Sequence, residues 1–180
     1  MFFSSAQISH GLARFGADEK SNFGRWNHYT SMNKGHLVVD LAHNPVGLAN
    51  ILELAQGFRR LKNLTGKFSL LYGNTADRRE TIPEIVALII RYEVEEVTIK
   101  EFQTALRGSQ VGEMPELFYN ELIKQGFPAA KIKIIANEVD AVNMILTQAK
   151  PEDFHLLCVH EHITEITTQL RGIINAEKRQ

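Results

Sequence analysis

Apolar residues follow two patterns that alternate along the chain, and together they predict the fold. Short continuous apolar runs, which are typical of buried strands, occur at residues 37–39, 68–72, 94–99, 132–136 and 154–159. Stretches with helical periodicity occur at residues 48–58, 85–89, 114–125, 139–146 and 163–174. Strand and helix signals alternate at a spacing of roughly 25–30 residues, which predicts an α/β fold with a mostly parallel sheet and helices on both faces.

Residues with special local roles mark where several helices begin. Asn44-Pro45 predicts a helix start, because Asn suits the cap and Pro suits the first helical position. Asn137 is a second candidate cap. Thr81-x-x-Glu84 has the spacing of a capping box, in which each side chain bonds to the other residue's backbone N–H.

The N-terminal part of the chain departs from this alternation. Ile8, Leu12 and Phe15 have helical spacing and predict a short amphipathic helix, followed by a polar linker over residues 17–22. Asn33-Lys34-Gly35 then lies between two ribbon-like stretches and predicts a β-hairpin. With this ribbon, the sheet is expected to contain about six strands.

The composition narrows the class of protein. With 180 residues, 44% apolar and 23% charged, the chain has room for one folded domain and is not disordered. Lys and Arg number 20 against 21 for Asp and Glu, and this balance disfavours a nucleic-acid-binding surface. A single cysteine excludes an internal disulfide, and no apolar run has the length of a membrane span or the pattern of a signal peptide. We therefore expect a cytoplasmic protein with no nucleic-acid or membrane partner.

The loops after the predicted strands are the places to look for a site, because open parallel sheets bind ligands beyond the carboxyl ends of their strands. The first such loop, residues 40–45, joins a buried strand to a helix N-terminus, which favours an anion. Asp40 is suited to a ribose hydroxyl or to water around Mg²⁺, and His43 to a phosphate or a base. The alternative is a capped helix beside a solvated Asp and His.

Two further loops carry charged side chains. The loop after the second buried run contains Asp77, Arg78 and Arg79, which can pair with one another or meet a charged substrate. Residues 106–113 form a long connection in which Arg107 is suited to binding a carboxylate in a fork geometry. The alternatives are a solvated ionic turn for the first of these loops and a flexible surface loop for the second.

Other motifs are weak or absent. His160-Glu161-His162 has two histidines at a spacing seen in metal sites, but without an evident third ligand it is interpreted as a surface turn. Cys158 lies in an apolar run and is expected to be a buried, unreactive thiol. There is no phosphate-binding P-loop, since Leu61 stands at the first glycine position before Gly66-Lys67, and no G-x-G-x-x-G fingerprint of dinucleotide-binding enzymes.

Taken together, the loop motifs resemble one family. Residues 22–27 (Asn-Phe-Gly-Arg-Trp-Asn) and residues 36–45, which end in Ala-His-Asn-Pro, look like the start of the C-terminal domain of the Mur ligase family. Folylpolyglutamate synthetases belong to the same superfamily. Residues 76–80 (Ala-Asp-Arg-Arg-Glu) and residues 106–113, with Leu-Arg-Gly and Gly-Glu, resemble segments of cyanophycin synthetases. The resemblance extends over residues 8–160.

The resemblance implies a division of the chain and a function. Residues 23–180 would be a Rossmann-like, doubly wound domain of the C-terminal ligase type, and residues 1–22 a helix and linker remaining from a preceding central domain. In such ligases the central domain carries the P-loop and activates a carboxylate, while the C-terminal domain closes over ATP and Mg²⁺ and brings the incoming amino acid. This chain would then be one part of an ATP-dependent amide ligase, without the P-loop needed for activity alone.

Residue by residue, the resemblance implies two groups of site residues and no catalytic residue or metal ligand. Arg25 would lie near the phosphates of ATP, Asp40 near the ribose or Mg²⁺, and His43 near the nucleoside, with Asn44 beside them. A second group would line the amino-acid side, where arginine is the candidate substrate: Asp77, Arg78, Arg79, Arg107 and Glu113. The partner would be the missing central domain or a second copy of the chain, and the N-terminal helix is expected to pack on the sheet or on that copy.

Two other functions stay open at this level. A stand-alone binding or assembly module descended from such a domain would keep Arg25, Asp40 and His43 without a catalytic duty. A nucleotide-dependent oxidoreductase would fit the topology but lacks the glycine fingerprint.

Overall fold

The structure is a computed structural model that describes residue 4, residue 19 and residues 22–179, and within these residues the chain forms one six-stranded sheet and five α-helices. The strands are β1 (Asn27–Ser31), β2 (Gly35–Asp40), β3 (Phe68–Tyr72), β4 (Glu96–Ile99), β5 (Ile132–Ile134) and β6 (Phe154–Cys158). The helices are α1 (Pro45–Lys62), α2 (Ile82–Arg91), α3 (Glu113–Lys124), α4 (Glu138–Gln148) and α5 (Ile163–Glu177). Two 3₁₀ turns cover Ala76–Thr81 and Ala129–Lys131.

The strands lie in the order β1-β2-β6-β3-β4-β5, and every neighbouring pair is parallel except the β1–β2 hairpin. The chain leaves β2, builds β3, β4 and β5 in succession toward one edge, and then returns to insert β6 between β2 and β3. This reversal brings the carboxyl ends of β2, β6 and β3 side by side. The prediction of a doubly wound, mostly parallel sheet with a β-ribbon is confirmed.

Helices cover both faces of the sheet, which explains why the strand sequences are continuously apolar. Successive residues of a strand point to opposite faces, so Leu70 packs in the layer with α1, α2 and α3 while Leu71 packs in the layer with α4 and α5. Leu156 and Leu157 of β6 divide between the two layers in the same way. All four side chains are fully buried.

Two of the predicted caps are present. Asn44 lies just before α1 with extended backbone, and its Oδ1 accepts the N–H of Gly47 at 2.8 Å, while Pro45 takes the first helical position. Asn137 caps α4 in the same manner, accepting the N–H groups of Val139 and Asp140. Local sequence therefore determines where these two helices begin.

The predicted capping box at Thr81 is wrong. Thr81 has helical backbone, because the 3₁₀ turn Ala76–Thr81 runs directly into α2 and already supplies an acceptor, the Arg79 carbonyl, for the N–H of Ile82. The Thr81 hydroxyl instead donates to the carbonyl of Arg78 at 2.8 Å. The side chain thus closes the preceding turn rather than starting a helix.

The predicted N-terminal helix lies outside the described residues, and the boundary between residues 1–22 and 23–180 stays a prediction. Of the segment before Asn22, Glu19 is described near the body of the domain, where its carboxylate forms an ion pair with Arg171 of α5 at 3.2 Å. No helix within residues 22–179 is long and apolar enough to cross a membrane.

His155 of β6 is a buried titratable group at the centre of the sheet, with only 1% of its surface exposed. Its Nδ1 lies 2.6 Å from the hydroxyl of Ser69 on β3, and its Nε2 has no hydrogen-bond partner among the described residues. Burial lowers the pKa of His155 from 6.5 to about 4, although the nearby Asp153 carboxylate opposes this shift.

We predict that His155 makes the fold less stable as the pH falls from 6.5 toward about 4. In this pH range the imidazole of His155 is protonated in the unfolded chain but stays neutral in the folded chain. The free energy of unfolding that this group contributes above pH 6.5 is therefore lost at about 1.4 kcal/mol per pH unit. Urea unfolding at several pH values in this range gives the free energy of unfolding as a function of pH. For His155→Gln this free energy should fall less steeply with falling pH than for the unsubstituted chain, by about 1.4 kcal/mol per pH unit. Equal slopes would contradict the assignment.

Candidate functional site

Two adjoining hollows lie at the carboxyl edge of the sheet, where β2, β6, β3 and β4 end. The first, here called the α1 hollow, has a volume of about 340 Å³ and is lined by Arg25, Asp40, Leu41, Ala42, His43, Asn44, Gly47, Asn50, Ile51 and Leu54. The second, here called the central crevice, has a volume of about 210 Å³ and is lined by His43, Gly73, Asn74, Thr75, Arg78, Phe102, Arg107 and His160. His43 belongs to both, so it forms the wall between them.

The four residues predicted to face ATP all line the α1 hollow. They come from two segments, because Arg25 precedes the hairpin while Asp40, His43 and Asn44 follow β2. The structure therefore brings them together around one space. That they bind ATP stays a prediction.

Asp40 holds these two segments in register. It is 6% exposed, and its carboxylate accepts the N–H of Trp26 at 2.9 Å through Oδ2 and the N–H of Ala42 at 2.8 Å through Oδ1. Burial raises the pKa of Asp40, against the opposing effect of these hydrogen bonds and of the Arg25 charge. Both oxygens are engaged by the main chain, so the primary role of Asp40 is to position the turn that carries Arg25.

That turn is folded tightly against the loop after β2. Gly24 has a φ of +73°, and any side chain there would collide with Leu41 and Ile163. Its N–H donates to Oδ1 of Asn27 at 2.6 Å, and its carbonyl accepts the N–H of Leu41 at 2.9 Å. Arg25 is thereby left exposed at the rim of the α1 hollow.

His43 has a defined hydrogen-bonding pattern. Its Nδ1 lies 2.8 Å from the carbonyl oxygen of Leu41 and must donate to it, so in the neutral ring Nε2 is an acceptor. The His43 carbonyl in turn accepts from Nη1 of Arg78 at 2.8 Å. This bond fastens the loop after β3 to the loop after β2.

The second predicted group is divided by the structure. Arg78 and Arg107 line the central crevice, whereas Asp77, Arg79 and Glu113 do not. Asp77 pairs with Arg107 at 2.5 Å and Arg79 pairs with Glu113 at 3.1 Å, and these ion pairs are largely exposed. We interpret the two pairs as contacts that stabilise the surrounding loops. The substrate role of all five residues stays a prediction.

Sequence reasoning missed a buried polar cluster beneath the central crevice. Lys100, just after β4, and Glu138, at the start of α4, have fully buried side chains that form an ion pair. Glu138 also accepts the N–H groups of His160 at 2.7 Å, Glu161 at 3.0 Å and His162 at 2.7 Å. The signal that was available is the position of Lys100, a charge directly after an apolar strand, like Asp40.

The interpretation of His160-Glu161-His162 as a surface turn describes the segment only in part, because the segment is a bend whose three residues are half-buried. The Nδ1 atom of His160 lies 2.9 Å from Nζ of Lys100, and its Nε2 is buried. Burial and the Lys100 charge lower the pKa of His160 from 6.5 to about 3. The carboxylate of Glu161 accepts the main-chain N–H groups of Gln103 and Thr104, so this tripeptide is fixed to the loop after β4.

The residues of the described chain do not form a metal centre. Within residues 22–179 no three His, Cys, Asp or Glu side chains lie together in a way that could hold an ion. Asp40, the candidate for the ribose or for water around Mg²⁺, has one backbone N–H bound to each of its oxygens, and its role beside these ligands stays a prediction. Cys158 is fully buried, as predicted, and burial raises the pKa of its thiol.

Comparison with solved structures finds a similar fold in folylpolyglutamate synthases and in a ligase domain. A bifunctional folylpolyglutamate synthase/dihydrofolate synthase from Yersinia pestis, complexed with AMPPNP and Mn ion, matches 95% of this chain with a TM-score of 0.62 and 16% identity. FolC from E. coli in complex with DHPP and ADP matches 96% of it with a TM-score of 0.58 and 18% identity. A domain from a putative UDP-N-acetylmuramate:L-alanyl-gamma-D-glutamyl-meso-diaminopimelate ligase from Haemophilus ducreyi matches 83%, with a TM-score of 0.51 and 15% identity.

The likeness is one of fold. The chain has the α/β architecture of a domain found in Mur-type ligases and folylpolyglutamate synthases. It spans 35% of the Yersinia protein and 35% of FolC, but 99% of the Haemophilus domain. No protein-family model matches the sequence, and comparison with curated proteins also finds no match.

We predict that Asp40→Asn destabilises the fold by about 1–3 kcal/mol, because one of the two backbone N–H groups then faces an amide donor instead of an oxygen. Urea unfolding measures the loss, and amide hydrogen exchange should localise it to residues 24–26 and 41–42. Asp140→Asn, at an exposed position in the first turn of α4, is the matched control and should cost less than about 1 kcal/mol. Equal losses in the two variants would rule out the positioning role of Asp40.

Proposed function

We propose that this chain is the C-terminal domain of an ATP-dependent ligase that joins a carboxylic acid to an amino acid. In this role it closes over ATP and positions the incoming amino acid. The observation that carries the proposal is the α1 hollow, where all four residues assigned to ATP by resemblance surround one space. Structures of the same fold in complex with AMPPNP and with ADP support it further.

The α1 hollow offers complementary groups for a nucleotide. Arg25 is an exposed cation at its rim, and the N-terminus of α1 adds the positive end of a helix dipole, so both favour phosphate groups. His43 lines the hollow and, with Nδ1 donating to the Leu41 carbonyl, its Nε2 is the acceptor proposed for the nucleoside. Asp40 keeps Arg25 and α1 in their relative places, and the proposal places it near the ribose or Mg²⁺.

The central crevice is proposed to take the amino acid. Arg78 and Arg107 line it, and a guanidinium binds a carboxylate through two parallel N–H bonds. His43 separates this crevice from the α1 hollow, so the two ligands would lie on either side of one imidazole. A cyanophycin-type specificity, with arginine as the substrate, is the finer part of the proposal and is supported by the Asp-Arg-Arg and Leu-Arg-Gly segments alone.

The phosphate-activating groups would come from a partner. The sequence has no P-loop, so the proposal requires a central domain, or a second copy of the chain, to face the α1 hollow. Because ligases of this type draw on the ATP pool, the proposal also implies a cytoplasmic location.

We predict that the pure chain binds ATP without hydrolysing it, and that Arg25→Gln weakens binding about tenfold through loss of a charged phosphate contact. Isothermal titration calorimetry measures the affinity, and phosphate release measures hydrolysis. Arg60→Gln makes the same change of charge at an exposed position in the last turn of α1 and should leave ATP affinity unaltered.

Three outcomes would count against the ligase role. Hydrolysis of ATP by the pure chain would mean that the chain is not a passive ligase domain. Absence of ATP binding would favour the stand-alone binding or assembly module. Saturable binding of NAD instead of ATP would favour an oxidoreductase.

A further inference from the structure

Two guanidinium groups line the central crevice, and they differ in their partners. Nη1 of Arg78 donates to the carbonyl of His43 at 2.8 Å, which is a neutral acceptor. Within residues 22–179 no carboxylate lies at ion-pair distance from Arg78. Nη1 of Arg107 is instead paired with Oδ2 of Asp77 at 2.5 Å. The crevice of the free chain therefore carries one positive charge without an acidic partner and one whose charge is already compensated.

Asp77 lies outside the crevice but next to its rim. It belongs to the 3₁₀ turn Ala76–Thr81, and 43% of its side chain is exposed. A hydrogen bond with the Thr75 side chain and the contact with the Arg107 guanidinium lower the pKa of Asp77, so the carboxylate is charged at neutral pH. A charged group held by its own turn in this way is available to Arg107 whenever the crevice contains no anion.

Arg107 lies at the tip of a tight turn. The N–H of Ser109 donates to the carbonyl of Leu106 at 3.1 Å. Arg107 and Gly108, between them, have φ values of +50° and +94°, and a side chain added at Gly108 would meet no atom within 4 Å. The Arg107 side chain is 51% exposed. A long side chain in such open surroundings can change its partner by rotating about its own bonds, without any movement of the sheet.

A second ion pair keeps the end of this loop in place. Arg79 pairs at 3.1 Å with Glu113, the first residue of α3, and neither residue lines the crevice. Oε2 of Glu113 also accepts the N–H of Gln110 at 2.9 Å. The loop is therefore anchored beyond Arg107 whether or not the contact between Arg107 and Asp77 is formed.

The contact between Asp77 and Arg107 is of a kind that a ligand can replace. Ion pairs between exposed side chains add little to the stability of a fold, because water solvates both groups and salt screens them. A ligand carboxylate between Arg78 and Arg107 would meet two cations, and a guanidinium binds a carboxylate through two parallel N–H bonds. Replacement of Asp77 by the ligand thus gains contacts with both arginines and loses one exposed pair.

We propose that Asp77 is an internal competitor, which occupies Arg107 in the free chain and is displaced when the carboxylate of an incoming amino acid binds in the central crevice. Arg78 is then a permanent contact of the ligand, and Arg107 is an exchangeable one. The proposal rests on the part of the proposed function that makes the crevice the amino-acid site, and it adds how that site is occupied when empty of ligand. It gives Asp77 a role opposite to that of a substrate contact, since loss of its charge should strengthen binding.

Acetate is the probe, because it presents a carboxylate without an amino group or a side chain. Its binding to the full chain is followed by the ¹H–¹⁵N signals of residues 73–75, at an ionic strength kept constant with chloride. We expect saturable shifts at these residues and an affinity about fivefold weaker in Arg107→Gln. Absence of such shifts would overturn both this proposal and the assignment of the crevice as the amino-acid site.

Asp77→Asn tests the competition. With the negative charge removed, Arg107 is free for the ligand, and acetate should bind about threefold more tightly than to the unsubstituted chain. Glu80→Gln removes the same charge from an exposed position of the same 3₁₀ turn, and as the matched control it should change the affinity by less than about 1.5-fold. Unchanged or weaker acetate binding by Asp77→Asn would overturn the competition and leave the crevice as an amino-acid site.

A double-mutant cycle separates displacement from a general effect of charge. In the Arg107→Gln background Asp77 has no guanidinium to occupy, so the addition of Asp77→Asn should leave the acetate affinity unaltered. A gain of about threefold in both backgrounds would mean that Asp77 acts through its field alone, and it would overturn the displacement. Urea unfolding checks that the variants keep the fold, as expected for side chains that are about half exposed.

ATP binding is a separate readout, because Arg25 lines the α1 hollow and not the central crevice. Arg25→Gln should leave the gain in acetate affinity caused by Asp77→Asn intact, and loss of this gain would overturn a competition confined to the crevice. A chain that shows the gain but does not bind ATP would reject the ligase proposal, while the competition for Arg107 would stand.

Discussion

The insertion of β6 between β2 and β3 is the constraint on which the rest of the structure depends. It places three strand ends next to one another that are separated by up to 118 residues along the chain, from Asp40 to Cys158. Each strand then delivers its following loop to the same edge, so the hollows form between segments that have no local relation. Because β6 is hydrogen-bonded to β2 on one side and to β3 on the other, local unfolding of β6 would divide the sheet.

Two buried carboxylates bind backbone N–H groups of the loops at the carboxyl edge of the sheet. Asp40 accepts N–H groups from the loop after its own strand and from the turn before the hairpin, and Glu138 accepts N–H groups from the segment after β6. In each case one acidic side chain satisfies several backbone donors that have no strand or helix partner. The loops that line the hollows therefore depend on these buried charges as well as on their own sequences.

The elements and caps could be predicted from the sequence because they depend on neighbours in the chain. The span of β3 matched the apolar run at residues 68–72, and Asn44 and Asn137 capped the helices expected of them. The capping box predicted at Thr81 was wrong because the preceding 3₁₀ turn already supplies an acceptor for the first N–H group of the helix. The Lys100–Glu138 pair joins residues 38 positions apart, and nothing in either local sequence indicates the other.

The far edge of the sheet shows how the domain limits its own association. β5 has only three residues, and its Lys133 is held by Glu96 and Gln148 on neighbouring elements. A strand so short, with a charged side chain fixed in its middle, offers little template for another strand to join. Within the described residues the sheet ends at β5, and this edge disfavours a continued backbone ladder as a means of association between molecules.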